Sequence, residues 1–263
     1  MEGLSFPEIS PVMFSIGPLA VRWYSMAYLF GILAAWWLAS RVVRRYDLGL
    51  SKQNLEDFVF YVTLGIVLGG RLGYAIFYGG AAMWAQPLQI LEVWKGGMSF
   101  HGGALGVVVA TYLFSRKIKY PFLQLTDLIV LFAPIGICCG RLANFINDEL
   151  WGRVTDVPWA VRFPNGGYLP RHPSQLYEAF FEGVVMLIVL NWLWRYESVR
   201  RRSGLVSALF VLFYGIFRIS MEQFREPDAQ LGFLIGGLTM GQLLSLPLVI
   251  LGAGIAVWKV RQK

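Results

Sequence analysis

Residues 122–146 read FLQLTDLIVLFAPIGICCGRLANFI, a long apolar stretch that holds one acidic residue, Asp127, and one basic residue, Arg141. A helix needs about 20 such residues to cross a hydrocarbon layer ~30 Å thick. The stretch therefore predicts a membrane span with an arginine inside it. Comparable runs lie at 18–40, 55–78, 102–115, 175–194, 204–222 and 236–258. The third is short: its helix is expected either to begin in the preceding stretch, near Met98 to His101, or to be supported by a re-entrant segment. The segment 81–97, with Trp84, Leu88, Ile90, Leu91, Val93 and Trp94, reads as interfacial or partly re-entrant. The pattern predicts an all-α integral membrane protein with seven transmembrane helices. Composition agrees: 56% of the 263 residues are hydrophobic and 15% are charged, where a soluble domain carries about 25% charged. The mean hydropathy is +0.55.

Lysine and arginine set the expected orientation. With seven spans, Arg41, Arg44, Arg45, Lys52, Arg116, Lys117, Lys119, Arg195, Arg200, Arg201, Arg202, Lys259, Arg261 and Lys263 all fall on one face. The positive-inside rule makes that face cytoplasmic, so the N-terminus is expected outside and the C-terminus inside. The outer segments are 1–17, 79–100, 147–174 and 223–235. The chain reads as one polytopic domain, 1–263, with 147–174 as a small head or loop insertion rich in proline and glycine. The net charge of +7 follows from topology, so no nucleic-acid partner is expected. No Lys or Arg precedes Arg22, so the first run lacks the basic flank of a cleavable signal and is expected to stay as a helix. Cys138 and Cys139 are adjacent and there is no CxxC, so neither a disulfide framework nor a metal site is expected, and no cofactor.

Several arginines sit where charge is costly. Placing one at a bilayer centre costs about 2.5–3.5 kcal/mol even on a lenient scale. At about 1.5 Å per residue from the cytoplasmic ends, Arg71 lies roughly 24 Å along its helix, Arg141 roughly 29 Å and Arg218 roughly 21 Å. All three fall in the outer half, and His101 enters the next span from outside. The bland reading is that each arginine snorkels or pairs with a carboxylate, as Glu222 four residues after Arg218 permits. The sharper reading is a wet anion site facing the outer leaflet, because the guanidinium fork matches phosphate.

The segment Gly140 to Arg153, GRLANFINDELWGR, puts Arg141, Asn144 and Asp148 on one face if it is helical throughout. It closely resembles the signature of the prolipoprotein diacylglyceryl transferase family, G-R-x-[GA]-N-F-x-N-x-E-x-x-G, at every fixed position. Other blocks of that family are similar to Gly96–Gly103 (GGMSFHGG), Arg171–Glu178 (RHPSQLYE), Tyr214–Arg218 (YGIFR) and Glu222–Asp228 (EQFREPD). Arg22-Trp23-Tyr24 and Gly70–Tyr74 fit its early helices. The resemblance runs in order over essentially the whole chain.

The resemblance implies a bacterial inner-membrane enzyme working toward the periplasmic leaflet. It implies that phosphatidylglycerol donates diacylglyceryl to the lipobox cysteine of a preprolipoprotein signal peptide, giving a thioether and glycerol phosphate. Sulfur must lose its proton, and the leaving phosphate must be stabilised. An imidazole accepts a proton near neutral pH, so His101 is the candidate general base, with a helix cap as its bland alternative. Arg141 and Arg218 are the candidate phosphate clamps, and Arg71 a third. Asn144 is assigned to the glycerol head group, and Tyr24 and Tyr214 to hydroxyl donors. Glu149 and Glu222 are candidates to orient the arginines, and Gly152 closes the signature. His172, ahead of Pro173 and Ser174, reads as a cap for the fifth span. Two rival classes stay open at this point: a transporter or flippase for an anionic lipid, and a non-catalytic scaffold.

Overall fold

The computed structural model describes residues 3–7, 9–17, 19–80, 83, 86–92, 96–227 and 232–262. Pro18, Trp84, Val93, Trp94, Asp228 and Lys263, which bound or belong to the segments read above, lie outside the described residues. The chain forms two compact units, Met1–Ala35 with Ile129–Lys263, and Trp36–Leu128.

Each apolar run contains a helix. They are α1 (Trp23–Tyr46), α2 (Lys52–Phe77), α3 (Phe100–Ile118), α4 (Phe122–Ile146), α5 (Ser174–Trp194), α6 (Leu205–Met221) and α7 (Met240–Arg261). Five of them, α1, α2, α4, α5 and α7, are long and apolar enough to cross a bilayer, so the chain is a multi-pass membrane protein. The other two have 19 and 17 residues.

The first boundary differs from expectation. Residues Leu19–Arg22 form a strand paired antiparallel with Val12–Ile16, and the helix starts only at Trp23. Gly17, at φ 58, makes the turn that the hairpin needs. At α3, Ser99 is the N-cap and accepts the Gly102 N–H at 3.2 Å. The helix thus begins at Phe100, inside the extension foreseen for the short third run.

In the second unit α2 and α3 meet along a glycine seam. A methyl group built on Gly69 would overlap the Gly102 carbonyl, and one on Gly106 would overlap that of Gly65. Small residues permit this approach where lipid supplies no hydrophobic drive between helices. Beside the seam, Arg71 is 5% exposed. Its guanidinium donates to the carbonyls of Gln89 (2.6 Å), Ile90 (2.9 Å), Gly97 (3.0 Å) and Gly96. The described part of 81–97 contains a 3-10 turn, Pro87–Leu91, with Leu88 and Leu91 exposed.

In the first unit α4 is interrupted at Leu131–Phe132, just ahead of Pro134. The Ile135 N–H turns to the Phe132 carbonyl at 3.0 Å. That frees the Leu131 carbonyl, which accepts the Asn191 amide of α5 at 3.0 Å. A proline break in a membrane helix is thus satisfied by a neighbouring side chain. Helices α6 and α7 cross closely at Gly215, against Val249 and Ser245, and at Gly252, against Ala208 and Leu212. The head, 147–173, is held by short pairings: Leu4–Ser5 with Val161–Arg162, Val161 with Arg171, and Gly152 with Arg225. The rings of Phe6, Phe145 and Phe163 pack 5.3–5.8 Å apart beneath it.

Candidate active site

Helices α4, α5 and α6 each carry charge into one buried cluster. Arg141 of α4 places Nε 2.8 Å from Glu178 Oε2 and Nη2 3.3 Å from Glu182 Oε2. Arg218 of α6 places Nη1 3.2 Å from Glu178 Oε1, and Nη2 2.8 Å from Glu222 Oε2. Arg225 reaches Glu178 Oε1 at 3.6 Å. The carboxylates are almost fully buried, Glu178 at 1% and Glu182 at 0% exposure, while the Arg141 and Arg218 side chains keep 18% and 13%. Three of these carboxylate oxygens, Glu178 Oε2, Glu182 Oε1 and Glu222 Oε2, lie near cations without a directed hydrogen bond. Their attraction is charge pairing, strong where water is absent. Among the described residues, Arg141 Nη1 and Arg218 Nε have no protein partner.

Local structure positions the carboxylates. Residues Ala179–Val185 of α5 are wound as a π-helix, a distortion frequent at functional sites. Within it Gly183 abuts Cys138 of α4, where a side chain would clash. Glu222 follows the end of α6 and accepts the Thr239 hydroxyl at 2.9 Å. Thr239 itself caps α7 through a reciprocal bond pair with Gln242. Gly241 leaves room for the Glu222 carboxylate, which a methyl group would strike at 2.8 Å.

The remaining candidates of the first unit gather around this cluster or follow it. Tyr214 stands close enough to Glu182, Arg218 and Arg141 to feel their charges. Tyr24 packs against Tyr28 at 5.2 Å, and Tyr28 in turn feels Arg141. Asn144 is buried and donates to Glu149 Oε1 at 2.7 Å, and Asn147 donates to the same oxygen at 3.3 Å. Glu149 therefore holds Asn144, and no ion pair links it to an arginine among the described residues. The helical face foreseen through Asp148 ends early. Asn147 caps α4, and Asp148 turns to φ 54, a left-handed conformation that aspartate tolerates. Gly152 is boxed between the carbonyls of His172 and Phe224, each 2.5 Å from where a Cβ would sit. Its backbone pairs with His172 and Arg225, so its need for glycine is steric.

Two residues belong to the other unit. His101 is exposed on the first turn of α3, and the capping foreseen as its bland role is done by Ser99. Arg71 directs its donors to four backbone carbonyls, so its geometry is that of a clasp on the 89–97 segment rather than of an open phosphate clamp. His172 does not cap α5. Its Nδ1 lies 3.2 Å from the Tyr177 hydroxyl, inside an aromatic group with Phe224. Glu178 and Glu182 were given no role from sequence. The signal was available: two carboxylates four residues apart in an apolar span need cationic partners as surely as the arginines need anionic ones.

Residues 11–258 match the family described as Prolipoprotein diacylglyceryl transferase. The chain belongs to this family. It is 50% identical over 250 residues to the phosphatidylglycerol–prolipoprotein diacylglyceryl transferase of Rickettsia felis, covering 95% of this chain and 96% of that one. It is 52% identical over 260 residues to the protein of the same name from Pseudomonas paraeruginosa, covering 98% and 97%. Family membership removes the scaffold and transporter readings from the front rank, since both relatives are named for group transfer.

Proposed function

We propose that this chain transfers the diacylglyceryl group of phosphatidylglycerol to the cysteine thiol of a prolipoprotein, forming a thioether and releasing glycerol phosphate. The observation that carries the site assignment is the pairing of Arg141 and Arg218 through Glu178 and Glu182. The carboxylates aim two guanidiniums without consuming all their donors. Arg141 Nη1 and Arg218 Nε remain for a phosphate, and partial exposure leaves a way in.

The chemistry follows from charge. The thiol proton passes to a base, for which we assign the exposed imidazole of His101. The thiolate attacks the primary carbon bearing the phosphate ester, and the C–O bond breaks. The departing glycerol phosphate gains charge, which preorganised guanidiniums stabilise more strongly than water would. Asn144, fixed by Glu149, is assigned to the glycerol head group, and Tyr24 and Tyr214 to nearby hydroxyl contacts. Arg71 is assigned a positioning role.

All seven apolar helices are proposed to cross the bacterial inner membrane within one polytopic domain. The N-terminus and the head lie on the periplasmic side and the C-terminus in the cytoplasm, as the lysine and arginine distribution requires. The test is direct. Purified protein is incubated with phosphatidylglycerol and a peptide carrying a lipobox cysteine, and the peptide is weighed. A mass gain equal to diacylglyceryl on sulfur supports the reading. An unchanged peptide, with phosphatidylglycerol moved across the bilayer instead, refutes it.

A further inference from the structure

The head carries an open groove of about 1000 Å³. Its walls include Ser5 and Ser10 of the N-terminal segment, Asn147 and Asp148 just past α4, and Arg162 and Tyr168 of the head. The volume is at the upper end of small-molecule pockets, and an open trough of that size accommodates several residues of extended chain.

One wall residue is incompletely satisfied. Asp148 is 8% exposed. Its Oδ2 accepts the Asn165 N–H at 2.6 Å, while Oδ1 is buried with no hydrogen-bond partner. Burial raises this carboxyl above its ordinary pKa, although the Asn165 N–H works the other way. An unpaired buried acceptor is costly and calls for a donor. A phosphate head group is a poor occupant, because it would be desolvated beside a carboxylate, and Arg162 on the wall is solvent-exposed. An extended polypeptide presents backbone N–H groups at regular spacing and suits the place better. Tyr168, 99% exposed, offers an aromatic surface to a side chain of such an occupant. The groove also adjoins the site: Asp148 directly precedes Glu149, whose carboxylate holds Asn144.

We propose that this groove binds the protein acceptor, holding in extended form the residues that follow its reactive cysteine, with a backbone N–H on Asp148 Oδ1. The proposal rests on the transferase reading and names where its polypeptide substrate lies.

The test compares two lipobox peptides on the purified full chain with phosphatidylglycerol. One ends directly after the cysteine, and the other continues for about six residues, roughly 20 Å of extended chain. The longer peptide is expected to have a KM about tenfold lower, the value of one hydrogen bond to a charged group. Asp148→Asn and Tyr168→Ala should erase that advantage while leaving kcat and the KM for phosphatidylglycerol unchanged. A labelled peptide of the post-cysteine residues alone should bind wild type and bind both variants less tightly. Equal KM values for the two peptides overturn the groove assignment and leave the transferase reading standing. A fall in kcat for both peptides alike in the variants also overturns it. Displacement of the labelled peptide by soluble glycerol phosphate would make the groove a head-group site instead. If neither peptide is modified, the transferase reading fails, and the labelled peptide decides the groove by itself: no binding sinks it.

Discussion

At the scale of single residues, the buried cluster makes Glu178 as important as the arginines it holds. It lies within ion-pair distance of Arg141, Arg218 and Arg225. Removing one partner of a buried pair leaves an uncompensated charge, which costs about 3–5 kcal/mol. Glu178→Ala should therefore lower unfolding stability in detergent by about that amount and abolish transfer. Arg141→Ala and Arg218→Ala should each reduce kcat about 100- to 1000-fold, the usual cost of losing one transition-state charge contact. Steady-state rates within a few-fold of wild type would remove them from the phosphate-binding role. His172 gives a different readout. Burial among Tyr177 and Phe224 lowers its pKa below the ordinary imidazole value. The folded state therefore prefers the neutral ring, and its contribution to stability is present above the unfolded value of about 6.5 and lost as pH falls. Melting temperature should drop as pH is lowered from about 7.5 to about 5, and His172→Phe should flatten that slope without a large change at the upper pH.

At the scale of elements, close helix packing depends on particular glycines. The seam between α2 and α3 has no room for a Cβ at Gly69 or Gly106, whereas nothing lies within 4 Å of a Cβ at Gly254 on α7. Gly69→Val should destabilise the protein by at least the 1–3 kcal/mol typical of overpacking, roughly enough to aggregate it in mild detergent. Gly254→Ala should leave the size-exclusion profile and melting temperature essentially unchanged. Sequence pairs such as Gly65/Gly69 and Gly102/Gly106 announce that close packing is possible, but a small-residue pattern is common in membranes. Which helix fills which groove is a matter of partner geometry. The π-helical stretch Ala179–Val185 was likewise silent in the sequence, since no residue type encodes it. The strand Leu19–Arg22 was hidden because apolar residues alternate too briefly there to be told from a helix start.

At the scale of the whole molecule, the proposed topology is open to a simple check. Reporter fusions or single-cysteine labelling at residues 3–7 should report the periplasm, and those at 259–262 the cytoplasm. Both ends on one side would reject seven crossings, and the inverted result would reject the orientation. The helices of the multi-pass chain were legible beforehand, because crossing a bilayer demands long apolar runs. Arg141, Arg218 and Asn144 stood out as groups in need of partners, because a charged or amide group in an apolar helix has few reasons to be there, whereas Glu149, expected to orient an arginine, holds Asn144 instead. What the linear chain determined by itself was the set of helices and the residues whose polarity must be answered. What only the tertiary structure decided was the answer each one found: Glu178 and Glu182 for the arginines, backbone carbonyls for Arg71, Asn144 for Glu149. Every buried charge or donor must be matched in a medium without water, but its partners lie up to tens of residues away along the chain, and only folding brings them within 3 to 4 Å.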